Sequence, residues 1–164
     1  MVEKVEKAFT IINKLSLRGV ILLFSLTLVF NACEEEDGQG LIPEVLVDFT
    51  LRLDLPEFDD LRLDGGWVYI EHANGNTAGY RGIILYRQMA NTYIALDRAC
   101  SYKPLESCHL IKVEDSNSFL ECECGDSKFN FDGTLINPPA SRPLKRYNTL
   151  YSPSDNSLRI VNSF

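Results

Sequence analysis

Hydrophobic and polar residues alternate along the chain from Val45 to Leu55. Every second residue of this segment is apolar, and most of the residues between them are polar or charged, including Asp48, Arg52 and Asp54. A period of two places the apolar side chains on one face of an extended strand. The pattern therefore predicts a half-buried strand, which ends at Pro56.

Short apolar runs separated by turn residues continue to the end of the sequence. Asp132-Gly133, between two of these runs, is the strongest hairpin dipeptide in the chain. No convincing helical period appears after residue 40, and recurring short strands are typical of sandwiches and barrels. We therefore predict an all-β, antiparallel sandwich or barrel. The expected strands are 67–70, 83–86, 93–96, 110–113, 119–122, 129–131, 134–136, 150–151 and 158–161.

The N-terminal region has a different pattern, with basic residues followed by the apolar run Val20–Phe30. This run is too short to span a bilayer, which needs about 20 residues, and it is typical of a secretory signal peptide. Asn31-Ala32-Cys33 follows and resembles a bacterial lipobox, which implies that Cys33 is lipidated and begins the mature protein. An uncleaved anchor or a buried free cysteine is the alternative. We predict a signal peptide at 1–32, a lipidated cysteine and tether at 33–43, and a β domain at 44–164.

The segment Glu34–Gly40 contains four acidic residues followed by glycines and has no apolar residue to bury. Such a segment is expected to be a solvated tether. Its acidic residues resemble the surface-export signals of Bacteroidetes-type lipoproteins, although a simple spacer would have the same composition. The predicted location is the bacterial cell envelope, on the periplasmic or surface face of the outer membrane. The lipid on Cys33 would make the membrane a partner.

Chain length, net charge and cysteine count limit the number of domains, the class of partner and the cellular compartment. The 164 residues suffice for one domain, and the net charge of −7 makes nucleic acid an unfavourable partner. Five cysteines are many for a cytosolic protein of this size, so an oxidising compartment is expected.

Four of these cysteines lie in two loops, Cys100 with Cys108 and Cys122 with Cys124. The second loop continues as Gly125-Asp126-Ser127-Lys128-Phe129, and Asn137-Pro138-Pro139-Ala140 and Pro143-Leu144 come later. This order resembles a Rieske iron–sulfur domain, with the resemblance running from Gly65 to Val161. The family implies an all-β fold in which the two loops meet around a [2Fe–2S] cluster.

The resemblance also implies roles for individual residues. Cys100 and Cys122 match the cysteine ligands of the cluster, whereas Tyr102 and Gly125 stand at the positions of its histidine ligands. The extra pair, Cys108 and Cys124, matches the disulfide that joins the loops in respiratory-type members.

These departures predict that the cluster is lost. A phenol must lose a proton that titrates near 10 before it can bind iron, and glycine offers no side chain. We therefore expect no cofactor and no metal, with Cys100–Cys122 forming a second disulfide beside Cys108–Cys124. His72 and His109 are expected to be ordinary surface or internally paired histidines. The alternatives are a [2Fe–2S] cluster or a zinc ion on the four loop cysteines.

The sequence thus predicts a non-catalytic, cluster-free Rieske-like lipoprotein of the cell envelope. It would be a structural module or bind an unidentified envelope protein or ligand. One alternative is an electron-transfer protein that retains a [2Fe–2S] cluster with unusual ligands. Another is a thiol–disulfide redox protein that uses Cys122 and Cys124.

Overall fold

The structure is a computed structural model and describes residues 41–163. Its largest element is a six-stranded antiparallel sheet with the strand order β1-β12-β11-β6-β5-β2. A four-stranded antiparallel sheet, β10-β9-β8-β7, and a small hairpin, β3-β4, complete the described sheets. The strands are β1 (Asp48–Arg52), β2 (Trp67–Ile70), β3 (His72–Ala73), β4 (Asn76–Thr77), β5 (Ile83–Met89), β6 (Thr92–Asp97), β7 (Ile111–Val113), β8 (Leu120–Cys122), β9 (Lys128–Phe129), β10 (Leu135–Asn137), β11 (Arg146–Ser152) and β12 (Ser157–Val161). The predicted all-β class is confirmed.

The β5–β6 hairpin lies at the centre of the fold because both of its faces are covered. Ile83 and Leu85 point into a core formed with β1, β11 and β12, while Ile84 between them packs against the smaller sheet. Strands covered on both faces have continuous apolar runs rather than alternating ones. This packing explains why 83–86 and 93–96 contain so few polar residues.

The smaller sheet carries the cysteine loops. Ile111 of β7, Leu120 of β8 and Phe129 of β9 are fully buried in the second core, together with Ile84 and Leu96 of the central hairpin. The first loop connects β6 to β7, and the second connects β8 to β9. Each loop therefore leaves a well-packed strand, which fixes the positions of its first residues.

The predicted strand at 45–55 is shorter in the structure. β1 covers Asp48–Arg52, and a 3-10 helix that the period did not predict occupies Pro56–Arg62. Proline at the first helical position is compatible with a helix start, because its missing N–H would have no partner there. The alternation holds for Val47, Phe49 and Leu53, which are buried, but Leu55 is exposed where the helix begins.

Several predictions concern residues outside the described range. The signal peptide at 1–32, the lipobox cysteine Cys33 and most of the tether at 33–43 lie there. Within residues 41–163, no helix has the length and apolar character needed to cross a membrane.

Candidate metal centre between two cysteine loops

Backbone hydrogen bonds hold the two cysteine loops side by side. The N–H of Glu123 in the second loop donates to the carbonyl of Leu110 in the first at 2.9 Å. Leu110 also pairs with Ala99 in an isolated antiparallel bridge, which closes the base of the first loop. Both loops are thus anchored at the residues that precede or follow their cysteines.

The proline-rich segment 138–144 packs against both loops. The Ser127 hydroxyl, fully buried in the second loop, accepts a hydrogen bond from the N–H of Ala140 at 2.9 Å. The hydroxyl of Ser101, beside the first cysteine, donates to the carbonyl of Arg142 at 2.8 Å. This segment therefore closes over the loops.

Cys108 and Cys124 form a disulfide between the loops. Their Cα atoms lie 5.6 Å apart and the two residues are separated by 16 positions in sequence. Both residues are exposed, so the bridge lies at the outer edge of the site. This is the inter-loop pair that the resemblance implied.

Cys100 and Cys122 are free thiols, which differs from the second disulfide predicted for them. Both are buried, with exposed fractions of 0% and 2%. The two sulfur atoms lie within 4.8 Å of each other, and the sulfur of Cys122 lies 3.5 Å from Nδ1 of His109. Because each sulfur has polar partners in the loops, the pair is accommodated without a covalent bond.

The pKa values of the Cys100 and Cys122 thiols are shifted in opposite directions. Donation from Cys122 lowers the pKa of Cys100, against the effect of burial, and the N–H of Tyr102 adds to this lowering. The pKa of Cys122 is raised, first by its hydrogen bond to Cys100 and then by burial. The pair therefore holds one negative charge more readily on Cys100, with the remaining proton on Cys122.

His109 is the site residue to which sequence reasoning gave no role. It is 4% exposed and internally paired, and its Nδ1 atom faces the sulfur of Cys122. The backbone fixes it there, because its carbonyl accepts a hydrogen bond from the N–H of Cys100 at 3.0 Å. The available signal was its adjacency to Cys108, a loop cysteine. His72 is exposed on β3 and is not part of this group of cysteine and histidine side chains.

The second nitrogen of His109 contacts a carboxylate. Oε2 of Glu106 lies 3.1 Å from Nε2, and the N–H of His109 donates to the carbonyl of Glu106 at 3.1 Å. The turn between the two residues thus brings both side chains to the same side. Glu106 Oε1 also pairs with Lys103 Nζ at 3.2 Å, which holds the carboxylate in place.

The residues at the former histidine positions have other surroundings. The ring of Tyr102 packs against the second core and meets the His109 ring edge-on, with centroids 5.5 Å apart. A Cβ added at Gly125 would lie 3.6 Å from Cys122 Sγ and 3.7 Å from Tyr102 Cδ1. Tyr102 therefore fills the volume beside Gly125 with hydrocarbon, and an imidazole from either position is missing.

The expectation of no cofactor is contradicted by this geometry. The sulfur atoms of Cys100 and Cys122 and a ring nitrogen of His109 all lie within 4.8 Å of one another, and all three residues are buried. Thiolate and imidazole are the ligand types that transition metals such as zinc, copper and iron prefer. A Rieske cluster needs two imidazoles on its second iron. Tyr102 and Gly125 supply none, so that particular ligand set does not fit.

Comparisons with known proteins find similarity among solved structures. No protein-family model matches the chain, and no curated protein matches it. Among solved structures, the chain is similar to the cyanobacterial plasma membrane Rieske protein PetC3 from Synechocystis PCC 6803. The sequence identity is 17% and the TM-score is 0.44, over 71% of this chain and 98% of that chain.

Proposed function

We propose that the chain is a metal-binding domain of Rieske-like fold, with its metal held between the two cysteine loops. The observation that carries the proposal is the convergence of two buried free thiols and one imidazole nitrogen within 4.8 Å. Buried polar groups are normally paired, and a group of thiol and imidazole donors is best satisfied by a metal ion.

Burial also limits what the metal can do. Cys100, Cys122 and His109 are each less than 5% exposed, so a substrate has little access to an ion bound among them. Catalytic metal sites keep a position open to water or substrate, whereas structural sites are closed. The site therefore favours electron transfer, if the metal is iron or copper, or loop stabilisation, if it is zinc. A role in substrate chemistry is disfavoured.

Protection of the thiols tests metal binding. We expect the purified full-length protein to carry metal, and Cys100 and Cys122 to resist alkylation until a strong chelator removes it. Metal content is measured by mass spectrometry of the elements, and the modified cysteines are identified by peptide mapping. Burial alone slows alkylation of these thiols, and a metal slows it further because it engages their lone pairs, so chelation should increase the alkylation rate of two thiols per chain.

A thiol–disulfide redox protein is the second candidate, because the sulfur atoms of Cys100 and Cys122 lie within 4.8 Å of each other. In that case the thiols would form a Cys100–Cys122 disulfide on oxidation. The protein would then contain no metal, and chelation would expose nothing, whereas a reductant would. That result would overturn the metal-binding proposal. The burial of both cysteines opposes this candidate, since exchange needs access for a second thiol.

We propose further that the domain is a lipoprotein of the bacterial cell envelope. The support is the apolar run Val20–Phe30 followed directly by Asn31-Ala32-Cys33 and an acidic tether. The lipid on Cys33 would make the membrane a partner, and an unidentified envelope protein or ligand remains a second one. The net charge of −7 disfavours nucleic acid.

Replacing the lipobox cysteine tests this location. Cys33→Ser is expected to release the protein from the membrane fraction or to leave it as unprocessed precursor, because serine cannot receive the lipid. Fractionation and intact mass measurement give the result. Cys108→Ser, which removes a disulfide cysteine of the folded domain instead, is the control and should stay in the membrane fraction. Membrane attachment and mass unaffected by Cys33→Ser would contradict lipidation.

A further inference from the structure

We propose that the site binds a single transition-metal ion, with Cys100 Sγ, Cys122 Sγ and His109 Nδ1 as its three protein ligands and Glu106 as the residue that positions the imidazole. This inference rests on the proposed function and specifies its metal site. It differs from the cluster of the Rieske family in the number of metal ions and in the histidine used.

The distances match one ion. Ligands on a tetrahedral metal with bonds of about 2.3 Å to sulfur and about 2.0 Å to nitrogen are separated by roughly 3.5–3.8 Å. Nδ1 of His109 lies 3.5 Å from the sulfur of Cys122, and the three donor atoms are all within 4.8 Å of one another. Small shifts of the side chains therefore bring all three donors to one ion.

The same distances are too short for a two-iron cluster with bridging sulfides. In a Rieske centre the two cysteines bind one iron and the two histidines bind the other. The imidazoles then lie beyond the second iron, on the opposite side of the bridging sulfides from the cysteines. Nδ1 of His109 is instead in hydrogen-bonding range of Cys122 Sγ. No second metal fits between these two atoms.

Glu106 determines which nitrogen of His109 is free. An ionised carboxylate only accepts hydrogen bonds, so the contact of 3.1 Å between Glu106 Oε2 and Nε2 places the ring proton on Nε2. Nδ1 then presents its lone pair towards Cys122. Histidine ligands in metal sites commonly donate their other N–H to a carboxylate, which fixes the tautomer and the ring orientation.

The backbone of the first loop holds these groups before a metal arrives. Lys103 adopts a left-handed conformation with a φ of 53°, and the N–H of Glu106 donates to its carbonyl at 3.1 Å. The next turn links Glu106 to His109, and the carbonyl of His109 accepts from the N–H of Cys100. Glu106, His109 and Cys100 are therefore fixed in one short, hydrogen-bonded unit.

Charge balance indicates a divalent ion. Two thiolates and one neutral imidazole neutralise a charge of +2, and a neutral site is the least costly to bury. Zinc, iron(II) and cobalt(II) meet this condition, and the thiol protons leave when the ion binds. Glu106 is exposed and already paired with Lys103, so its charge does not upset this balance.

Cobalt(II) titration of the metal-free full-length protein tests the inference. We expect saturation at one equivalent, with thiolate-to-cobalt charge transfer and the d–d bands of a tetrahedral site in which an enclosed water molecule is the fourth ligand. Glu106→Ala should lower cobalt affinity by about 10- to 100-fold, the usual effect of removing the partner of a histidine ligand. Glu106→Gln keeps an oxygen that accepts from Nε2 and should recover most of the affinity.

Glu123→Ala is the matched control. It removes another exposed carboxylate from the same pair of loops and should leave cobalt affinity within about threefold of the unmodified chain, because Glu123 does not orient His109. His109→Gln should change the d–d bands as one nitrogen ligand is lost. If that variant does not fold, the single-equivalent end point and the Glu106 series still test the proposal.

The outcomes separate this inference from the proposed function. Two metal ions per chain with acid-labile sulfide would overturn the single-ion site while leaving a metal-binding function in place. Unchanged affinity in Glu106→Ala would overturn the positioning role of Glu106. No cobalt binding, together with no metal in the purified protein, would overturn both the inference and the function.

Discussion

Cys122→Ser is expected to lower the affinity of the domain for its metal by more than about 100-fold. Loss of a ligand costs more than loss of a residue that only orients one, for which the usual range is about 10- to 100-fold. Cys122 is the decisive position because its sulfur lies 3.5 Å from Nδ1 of His109 and within 4.8 Å of the sulfur of Cys100. Competition with a chromophoric chelator gives the affinity directly.

The double variant Cys108→Ser/Cys124→Ser is the control for this experiment. It also removes two cysteine sulfurs from the loops, but these belong to the disulfide and not to the buried group of Cys100, Cys122 and His109. We expect it to bind one equivalent of metal while losing about 2–5 kcal/mol of stability, the typical cost of removing a native disulfide. Equal metal affinity in Cys122→Ser and the unmodified chain would show that the buried thiols are not ligands.

Asp97→Ala is expected to reduce the free energy of unfolding by about 3 kcal/mol or more. Asp97 is fully buried at the end of β6, where the first cysteine loop begins. Its carboxylate accepts hydrogen bonds from Tyr80 N–H at 2.6 Å, from the Tyr147 hydroxyl at 2.7 Å and from Ala99 N–H at 2.8 Å. Each buried donor left without an acceptor costs about 1–3 kcal/mol.

Two milder variants show whether the hydrogen bonds cause this effect. Asp97→Asn keeps one acceptor oxygen and nearly the same volume, so its loss should be smaller than that of alanine. Tyr147→Phe removes one donor together with its need for a partner and should cost about 1 kcal/mol. Urea unfolding monitored by circular dichroism measures all three. A change below about 1 kcal/mol in Asp97→Ala would contradict the role of this carboxylate.

The sequence by itself determined the strands and most of the turns. The hairpin with Asp132-Gly133 lies between β9 and β10 as predicted, since the preference of that dipeptide for a tight turn is a local property. Gly133 has a φ of 88°, which other residues rarely adopt. The apolar runs 83–86 and 93–96 likewise predicted the two central strands, because strands that are buried on both faces contain few polar residues.

The division into two sheets could not be predicted in the same way. Period and turn residues identify strands but do not say which strands are neighbours. β1 pairs with β12 across more than one hundred residues, with Phe49 opposite Ile160. The smaller sheet is separate because β7 and β8 turn their buried residues towards Ile84 and Leu96, a contact between distant parts of the chain.

The cysteine loops show the same limit at the site. The sequence indicated that Cys108 and Cys124 would meet, and it identified Cys100 and Cys122 as the inner pair. It did not indicate that this pair would be free thiols or that His109 would join them. Only the folded structure decided this, because the direction of His109 depends on a left-handed turn at Lys103 and on backbone hydrogen bonds within the first loop. Residue type sets which ligands are available, and the folded loops decide which of them share one point in space.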